Sequence, residues 1–505
     1  MITENPTSSL EKIFSGASFK NLDQAALVKQ FDISPQLRKN NSAAKPAAAY
    51  VPQVGPDISN IPSGGIIINQ PGQYRFLNDI TWAPAGAGAA ILVLANDVVL
   101  DLKGFTLTVN APGPNAGTQY NGISLGISDK GVTTVNAVTL QNGTVNGASY
   151  YGVSAMQTTN LQISNITVGN ISYNETATAN LTACGIFIDS SDVFNVQNCI
   201  VQNITVMAPS CAGIQILSST NGNVSGCTMK QFVNSDGGVQ GFSYLKSSNI
   251  TTNACISENF RSHYRGQTDT TGHTVIGYVP IFCNDLEYND CSADGMTGCC
   301  DDCHGMSVFL NSYVQVNNFS ATNVIDGACS VNTGAKATGL EVYGDYITIN
   351  NCTSSNIKAI VPQDLQSAGF SAWGTNITFN NCVATDVLVL DANQQPSTQY
   401  GYGVGFGWAP DPRTVFNFNS TPAHLTQYNN CNANNCQVGF DTWFHTNSQW
   451  NNVMTQDCPI FILAEKYGTP RTLSMDKCSE SPSGEPVSVT ITNIAADNTF
   501  PQLHV

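Results

Sequence analysis

Charged residues are scarce in this chain. Of its 505 residues, only 11% are Asp, Glu, Lys or Arg, against roughly 25% in an average soluble domain. Lysine and arginine together number 19, and 35 acidic residues bring the formal net charge to −16. Because nucleic-acid binding requires clustered positive charge, this composition argues against a nucleic-acid partner.

Long apolar runs and a leader-like beginning are also missing. No apolar stretch reaches the roughly 18 residues that a membrane-spanning helix needs, so we expect no membrane span. Residues 1–19 contain Glu4, Glu11 and Lys12 but no apolar core of a secretory signal, so no signal peptide is predicted. The localisation stays open between a virion or other surface and export by a non-classical route.

Helical periodicity is confined to the first part of the sequence. Between residues 8 and 38, apolar side chains recur with the spacing of an amphipathic helix, which predicts a helical N-terminal segment over residues 1–39. Residues 40–63 are rich in Ala, Pro, Asn and Ser and are predicted to form a linker. We assign residues 64–460 to one array of short β-rich repeats and residues 461–505 to a C-terminal tail or cap.

A glycine followed by an apolar residue recurs along this array at intervals of 28 to 36 residues. These glycines are Gly122, Gly152, Gly185, Gly213, Gly241, Gly277, Gly305, Gly339, Gly369, Gly405 and Gly439. A second repeated position, 13 or 14 residues after the glycine, is occupied by Cys199, Cys227, Cys255, Cys291, Phe319, Cys352 and Cys382. Two positions that keep register without a helix in the repeat predict a β-solenoid, whose coils stack about 4.8 Å apart.

The opening of the array carries a family resemblance. The segments PGQYRFLNDI (71–80) and NDVVLDLKGFTLTV (96–109) resemble the first coils of the right-handed parallel β-helix, or pectin-lyase-like, superfamily. The resemblance implies an all-β, right-handed parallel β-helix, which we expect to have about 11–13 coils and the short helical N-terminal segment. The superfamily includes polysaccharide lyases, hydrolases, epimerases, tailspikes and adhesins, so the fold alone names no reaction.

Alternation along each repeat predicts which side chains enter the core. Residues one and three after each glycine are apolar, as at Leu340 and Val342, and should face inward. The repeated cysteines should form a ladder of small buried side chains. Cross-coil disulfides are the alternative, because the coil spacing lies within the Cα separation that a disulfide allows.

Reactive side chains concentrate in the segment DGMTGCCDDCHGMS (294–307). Asp301, Asp302 and His304 directly precede Gly305, and an extended chain places Asp302 and His304 on the same side. A carboxylate beside an imidazole is suited to acid–base catalysis. The segment is similar to the Asp-Asp and His-Gly motifs of the polygalacturonase group, although here both motifs are fused in one coil. A non-catalytic cysteine-rich turn is the alternative, and the crowding of six candidate ligands disfavours zinc.

A second group of candidates lies in ENFRSHYRGQTDTTGH (258–273). It concentrates Arg261 and Arg265 in a chain that is otherwise poor in cations. Lyases of the β-helix superfamily neutralise a uronate carboxylate with Arg or Lys and remove its C5 proton, so the resemblance implies a catalytic role for both arginines. A solvated loop is the alternative.

Aromatic residues recur four positions after the glycine, where alternation directs side chains away from the core. This outward column comprises Phe309, Tyr343, Trp373 and, after an interruption, Trp443. Exposed aromatics one coil apart would form a ridge suited to stacking on sugar rings. Glu341 and Asp441 lie beside the ridge, the first as a candidate catalytic acid and the second as a candidate substrate-binding residue. A C-terminal segment that covers the column is the alternative.

Two functions remain open from the sequence. One is a polysaccharide lyase or glycoside hydrolase that cleaves an extended polysaccharide by acid–base chemistry. The other is a non-catalytic glycan-binding or structural surface protein of tailspike-, adhesin- or virion-like type, for which a homotrimer is the expected assembly. Both predict a polysaccharide or glycan partner. We predict no cofactor and no metal, and the residues give no indication of a calcium requirement.

Overall fold

The computed structural model describes residues 54–111, 119–126, 134–174, 182–208, 210–235, 237–262, 274–298, 302–327, 336–360, 366–397, 401–407, 425–441, 447–463, 472–479, 487–492 and 502–503. All regular secondary structure in these ranges is β-strand. The predicted helical N-terminal segment lies outside the described residues. Within them, no helix is long and apolar enough to cross a membrane.

The strands form three ladders, because each strand pairs in parallel with its counterpart one coil away. The first ladder, here called the first sheet, contains the repeated glycines. Its strands are Ile66–Ile68, Gly88–Val93, Tyr120–Leu125, Tyr151–Met156, Thr182–Asp189, Ser210–Leu217, Gly238–Leu245, Val275–Ile281, Asp302–Asn317, Lys336–Asn350, Gln366–Asn380, Gly403–Phe406, Val438–Asp441 and Ile460–Leu463.

The second sheet continues around the coil. Its strands are Val54–Ile58, Gly72–Phe76, Val98–Asp101, Val135–Asn136, Val138–Asn146, Thr158–Gly169, Asp192–Gln197, Thr220–Ser225, Ser248–Asn253, Asn284–Asn289, Thr426–Asn429, Asn447–Asn451 and Thr472–Cys478. The three longest strands of the first sheet extend into it.

The third sheet closes each coil. Its strands are Ile80–Trp82, Thr106–Val109, Ser172–Asn174, Ile200–Met207, Thr228–Asn234, Ile256–Ser262, Ser292–Gly298, Ser320–Gly327, Thr353–Ile360, Val383–Leu390, Asn432–Asn434 and Met454–Gln456, joined by the later parts of Val138–Asn146 and Thr158–Gly169. Two antiparallel strands, Val487–Thr492 and Gln502–Leu503, pair with the last coils.

Pairing extends beyond both predicted limits of the array. Val54–Ile58, within the predicted linker, already pairs with Gly72–Phe76. Pro56 is tolerated in this strand because the strand lies at the edge of the ladder and the pairing register is irregular at that point. At the other end, Thr472–Cys478 pairs in parallel with Asn447–Asn451. The parallel ladder therefore includes parts of the predicted linker and of the predicted tail.

The predicted core residues of the first sheet are confirmed. Where the structure describes them, residues one and three after the glycines are buried, as Met306, Val308, Leu340 and Val342 show at 0% exposure within one continuous core. Burial of apolar surface on this scale, at about 25 cal/mol per Å², is the main stabilising contribution to such a fold. Because each coil contacts its neighbours, this stabilisation accumulates coil by coil.

Asparagine side chains form a second repeated contact, at a corner of the coil. Each amide nitrogen donates to the amide oxygen one coil earlier, for example from Asn317 to Asn289 and from Asn350 to Asn317, both at 2.8 Å. This amide ladder comprises Asn195, Asn223, Asn253, Asn289, Asn317, Asn350, Asn380, Asn429 and Asn451. The ladder accounts for part of the asparagine content, since stacked amides satisfy one another's hydrogen bonds.

The repeated cysteines are buried, and the structure shows no disulfide among the cysteines it describes. The peptide oxygens of Cys199, Cys227 and Cys255 each accept a hydrogen bond from the coil that follows. Their thiols donate to peptide oxygens nearby, as Cys227 does to Ser225 at 3.4 Å. In such surroundings a cysteine packs as a small apolar side chain.

Candidate functional site

The candidate site is shaped by a break in strand alternation at Gly305. Pairing between Asp302–Asn317 and Lys336–Asn350 includes His304 and Met306 but omits the glycine. A Cβ atom on Gly305 would lie 2.5 Å from the Gly339 oxygen and 2.7 Å from the Ala321 Cβ. Only glycine fits this close approach, so the strand bends there, and side chains on either side of the bend face the same way.

Five polar side chains meet at this bend on the outer face of the first sheet, the face opposite the core. We call them the Asp302 cluster, and they are Asp302, His304, Ser307, Lys336 and Glu341. The His304 ring lies between two carboxylates: Nε2 is 3.8 Å from Asp302 Oδ1, and Nδ1 is 3.7 Å from Glu341 Oε2. The predicted proximity of Asp302 and His304 is thus observed, and Glu341 is added from the next coil.

Two further contacts hold Glu341 in place. Lys336 Nζ donates to Glu341 Oε1, and Ser307 Oγ donates to Glu341 Oε2 at 3.1 Å. The backbone of Lys336 is anchored from the third sheet, since its N–H donates to the buried Asp326 carboxylate at 2.9 Å. Charge-assisted hydrogen bonds of this kind are stronger than neutral ones, so the cluster is a fixed arrangement.

Burial decides which members of the cluster can meet another molecule. His304 is 2% exposed and Glu341 is 9% exposed. The side chains of Asp302 and Lys336 retain 23% and 17% of their accessible surface. Asp302 is therefore the acidic side chain of the cluster that reaches solvent, while His304 connects it to the buried Glu341.

The cluster also sets the protonation of Glu341. Burial alone would raise the pKa of this carboxyl group, but the Lys336 ammonium and the His304 imidazole outweigh that effect, so its pKa lies below the ordinary value. The charged form is therefore favoured by folding. Its contribution to stability is present above the unfolded-state pKa of about 4.3 and is lost as the pH falls through the lower folded-state pKa.

We expect Glu341→Gln to destabilise the protein at pH 7 by up to about 3–5 kcal/mol, because it leaves the Lys336 charge without its carboxylate. The difference from the wild type should shrink as the pH falls below about 4, since the wild-type carboxyl then becomes protonated. Thermal unfolding at a series of pH values measures both effects. Glu287→Gln, on the half-buried strand Asn284–Asn289, is the control. A stability difference between Glu341→Gln and the wild type that stays constant down to pH 3 would contradict the charged, stabilising role assigned to Glu341.

The predicted exposed aromatic ridge is wrong for the residues that the structure describes. Tyr343 is 7% exposed, Phe309 is half-buried, and their rings meet edge to face at 5.0 Å. Asp441, predicted to bind substrate, is fully buried. Strand alternation gives the direction of a side chain but not its accessibility. Outward-facing residues of the first sheet can be buried, as every residue of the strand Gly238–Leu245 is. The side chains of Trp373 and Trp443 lie outside the described part.

Among the described residues of these coils, the exposed aromatic side chains are instead Tyr313 and Tyr346. They are 42% and 52% exposed, and their rings stack at 5.1 Å, nearly parallel. Both adopt left-handed backbone conformations, with φ near 57°, at a position where Asn249 and Asn376 stand in other coils. Asparagine adopts this conformation more readily than tyrosine does. The sequence does contain a signal for these two residues, because tyrosine replaces asparagine at this position of the repeat.

The remaining candidates are not joined to the cluster. Arg261 is exposed on Ile256–Ser262, a strand of the third sheet, whereas the cluster lies on the first sheet. Asp301 and Arg265 lie outside the described residues. No group of three or more His, Cys, Asp or Glu side chains in the described ranges is arranged to hold a metal ion.

Sequence reasoning missed two members of the cluster, Lys336 and Ser307. Lys336 stands three residues before Gly339, as Asp302 stands three before Gly305. Ser307 stands two after its glycine, as Glu341 does. The alignment on the repeated glycines therefore gives the positions of both residues. Their contact with Glu341 can be inferred only when the bend at the glycine is known.

No protein-family model matches this chain, and no curated protein matches it in sequence. Among solved structures, it is similar to the catalytic domain of a GH87 alpha-1,3-glucanase variant in complex with tetrasaccharides, at 13% identity and a TM-score of 0.36 over 84% of this chain and 68% of that chain. It is also similar to the tailspike protein of E. coli bacteriophage HK620 in complex with a pentasaccharide, at 10% identity and a TM-score of 0.44 over 82% and 70% of the two chains.

A third similar structure is the A-module of an Azotobacter vinelandii mannuronan C-5 epimerase, at 11% identity and a TM-score of 0.26 over 85% of this chain and 88% of that chain. The fold itself follows from the three ladders of parallel pairing described above. The chain is therefore a parallel β-helix, which is the fold that the sequence resemblance implied.

Proposed function

We propose that this protein is a carbohydrate-active enzyme that cleaves an extended polysaccharide by acid–base chemistry at Asp302. The observation that carries the proposal is the line of carboxylate, imidazole and carboxylate across two coils, with Asp302 at its solvent end. Such a line can hold a proton-exchanging carboxylate in a fixed orientation, which general acid–base catalysis requires.

The roles within the cluster follow from burial and contacts. Asp302 is the catalytic residue, because it is the carboxylate that reaches solvent and can touch a substrate. His304 is a positioning residue, since it is buried between the two carboxylates. Lys336 and Ser307 hold the Glu341 carboxylate in place. That carboxylate lies on the Nδ1 side of the His304 imidazole. Arg261, on another sheet, has no part in this proposal.

The parallel ladders support an extended substrate. Coils repeat at about 4.8 Å, so exposed side chains such as the stacked Tyr313 and Tyr346 recur at regular intervals along the axis of the coil. A polymer with a regular repeat can contact several coils at once. The non-catalytic alternative, a glycan-binding surface protein, shares this property and predicts binding without turnover.

A turnover screen tests the proposal. Purified protein is incubated with uronic-acid and neutral polysaccharides while new reducing ends and absorbance at 235 nm are followed together. New reducing ends with absorbance indicate a lyase, and reducing ends alone indicate a hydrolase. Binding to a polysaccharide without either signal would overturn the enzymatic proposal and favour the glycan-binding alternative.

A further inference from the structure

Tyr313 and Tyr346 stand apart from the Asp302 cluster, at the corner where the first sheet passes into the second. Each belongs to a strand that contains part of the cluster, Asp302–Asn317 and Lys336–Asn350, and the two tyrosines lie in register. Tyr346 follows Glu341 by five residues, so their Cα atoms are at most about 18 Å apart. The tyrosines and the cluster therefore share the same two coils but meet solvent at different places.

The two tyrosines are the exposed aromatic side chains of the part of the chain that the structure describes. Tyr346 is 52% exposed, and its ring stacks on that of Tyr313 at 5.1 Å with 5° between the planes. Other stacked pairs lie in the core, such as Phe242 and Tyr278, which are at most 1% exposed. The surface pair gains less from burial than such pairs do, so packing alone does not account for it.

One face of the Tyr346 ring is directed away from Tyr313, toward the coil that follows. In that coil the same corner position is occupied by Asn376, which is exposed and has a shorter side chain. Asp345 lies at the same corner, and its Oδ1 accepts hydrogen bonds from the Thr375 N–H, at 3.1 Å, and from the Thr375 hydroxyl group. An aromatic ring face is thus bordered by an amide group and by a carboxylate that two hydrogen bonds orient.

This combination fits a sugar ring. The C–H groups on one face of a pyranose can pack against an aromatic ring, while its hydroxyl groups need both donors and acceptors. The Asn376 amide supplies both, and the Asp345 carboxylate supplies acceptors. A nucleic acid is disfavoured, because the exposed carboxylates of Asp285 and Asp345 at this corner would repel its phosphates. Two half-exposed rings also offer far less than the roughly 800 Å² per side that a stable protein interface buries.

We infer that the exposed face of Tyr346 binds a sugar residue of a polysaccharide at a site separate from the Asp302 cluster, with Asn376 and Asp345 binding its hydroxyl groups. The inference rests on the proposed function for the identity of the polymer. Because both sites lie on the same coils, a polymer held at Tyr346 has a neighbouring segment close to Asp302. A second contact on one polymer is effectively intramolecular, so the tyrosine site should lower KM for long polymers but not for short oligosaccharides.

Tyr346→Asn tests the site by binding alone. Asparagine already occupies this corner position at Asn249 and Asn376 and adopts the left-handed conformation readily, so the coil should keep its structure. Electrophoresis through gels that contain the uronic-acid and neutral polysaccharides of the turnover screen measures the dissociation constant. We expect this constant to rise by about 3–10-fold for the polymer that the wild type binds, as loss of one aromatic contact predicts. Tyr346→Phe keeps the ring and should bind as the wild type does.

Val193→Asn is the matched control. Val193 occupies the same corner position in an earlier coil, is 41% exposed and has a left-handed backbone with φ of 53°. It has no aromatic ring, so polymer binding should be unchanged. Equal binding by the wild type and Tyr346→Asn would overturn the inference. Self-association that light scattering detects in the wild type but not in Tyr346→Asn, with unchanged polymer binding, would overturn it in favour of a contact between copies of the chain.

Kinetics separate the tyrosine site from the catalytic one. On a long polymer, Tyr346→Asn should raise KM by about 3–10-fold with unchanged kcat, whereas an oligosaccharide too short to reach both sites should give the wild-type constants. Equal losses on both substrates would overturn the separation of the sites. Polymer binding that depends on Tyr346 without any turnover would overturn the proposed function and leave the inference standing. No binding of any polymer by the wild type would overturn both.

Discussion

Asp302→Asn is expected to lower the turnover number by about 10²–10⁴-fold, the range that removal of a general acid–base group typically gives, and to leave KM nearly unchanged. The asparagine side chain has the size and shape of the aspartate side chain, but its amide group cannot act as a general acid or base near neutral pH. The contacts of Glu341 with Lys336 and Ser307 do not involve Asp302, so the rest of the cluster stays in place. Initial-rate kinetics on the polysaccharide that the wild type cleaves is the measurement.

Asp285→Asn provides the matched control for this experiment. Asp285 is exposed on the strand next to Asp302–Asn317, at a left-handed position where Asn221 and Asn249 stand in other coils. The chain therefore already contains the substituted residue in the same structural setting. Equal activity of Asp302→Asn and Asp285→Asn would remove Asp302 from the mechanism. A rise in KM with unchanged kcat would instead make Asp302 a binding residue.

Gly305→Ala is expected to destabilise the protein by about 1–3 kcal/mol, which is typical of an overpacked core. The added Cβ meets a backbone oxygen at 2.5 Å and the Ala321 Cβ at 2.7 Å, and neither atom can move away as a flexible side chain would. Chemical denaturation followed by circular dichroism measures the loss. Activity should fall as well, because the bend at this glycine brings His304 and Ser307 onto one face.

Gly64→Ala tests whether the effect comes from the close approach rather than from the loss of a glycine. A Cβ atom on Gly64 would meet nothing within 4 Å. This variant should therefore unfold at nearly the wild-type denaturant concentration. Comparable destabilisation in both variants would show that the loss comes from replacing a glycine rather than from the close contact at Gly305.

The repeat carries most of what the sequence could predict. The glycine spacing and the inward positions one and three residues later follow from a strand period of two, and the structure confirms them at Leu340 and Val342. Lys336 and Ser307 could not be recognised, because a lysine and a serine carry no signal of their own and only their contacts with the two oxygens of Glu341 join them to the site.

The candidate site was predicted in pieces. His304 and Asp302 were joined correctly because they are neighbours on one strand, where extended geometry applies. The sequence identifies Glu341 as a candidate but does not place it beside them. In a regular strand, the residue before each repeated glycine and the residue two after it would lie on opposite faces. The bend at Gly305 reverses that rule, and it arises from close contact with Gly339 in the next coil. Local pattern alone does not contain such a contact.

The amide ladder described for the asparagine corner also has a direction. From Asn223 to Asn451, each side chain donates its N–H to the coil made before it and offers its oxygen to the coil that follows. During synthesis, a newly emerged coil therefore meets a finished edge that already presents the acceptor it needs, much as a crystal layer grows on a seed. Because domains begin to fold from the N-terminus while synthesis continues, the chain can add coils in the order in which the ribosome delivers them.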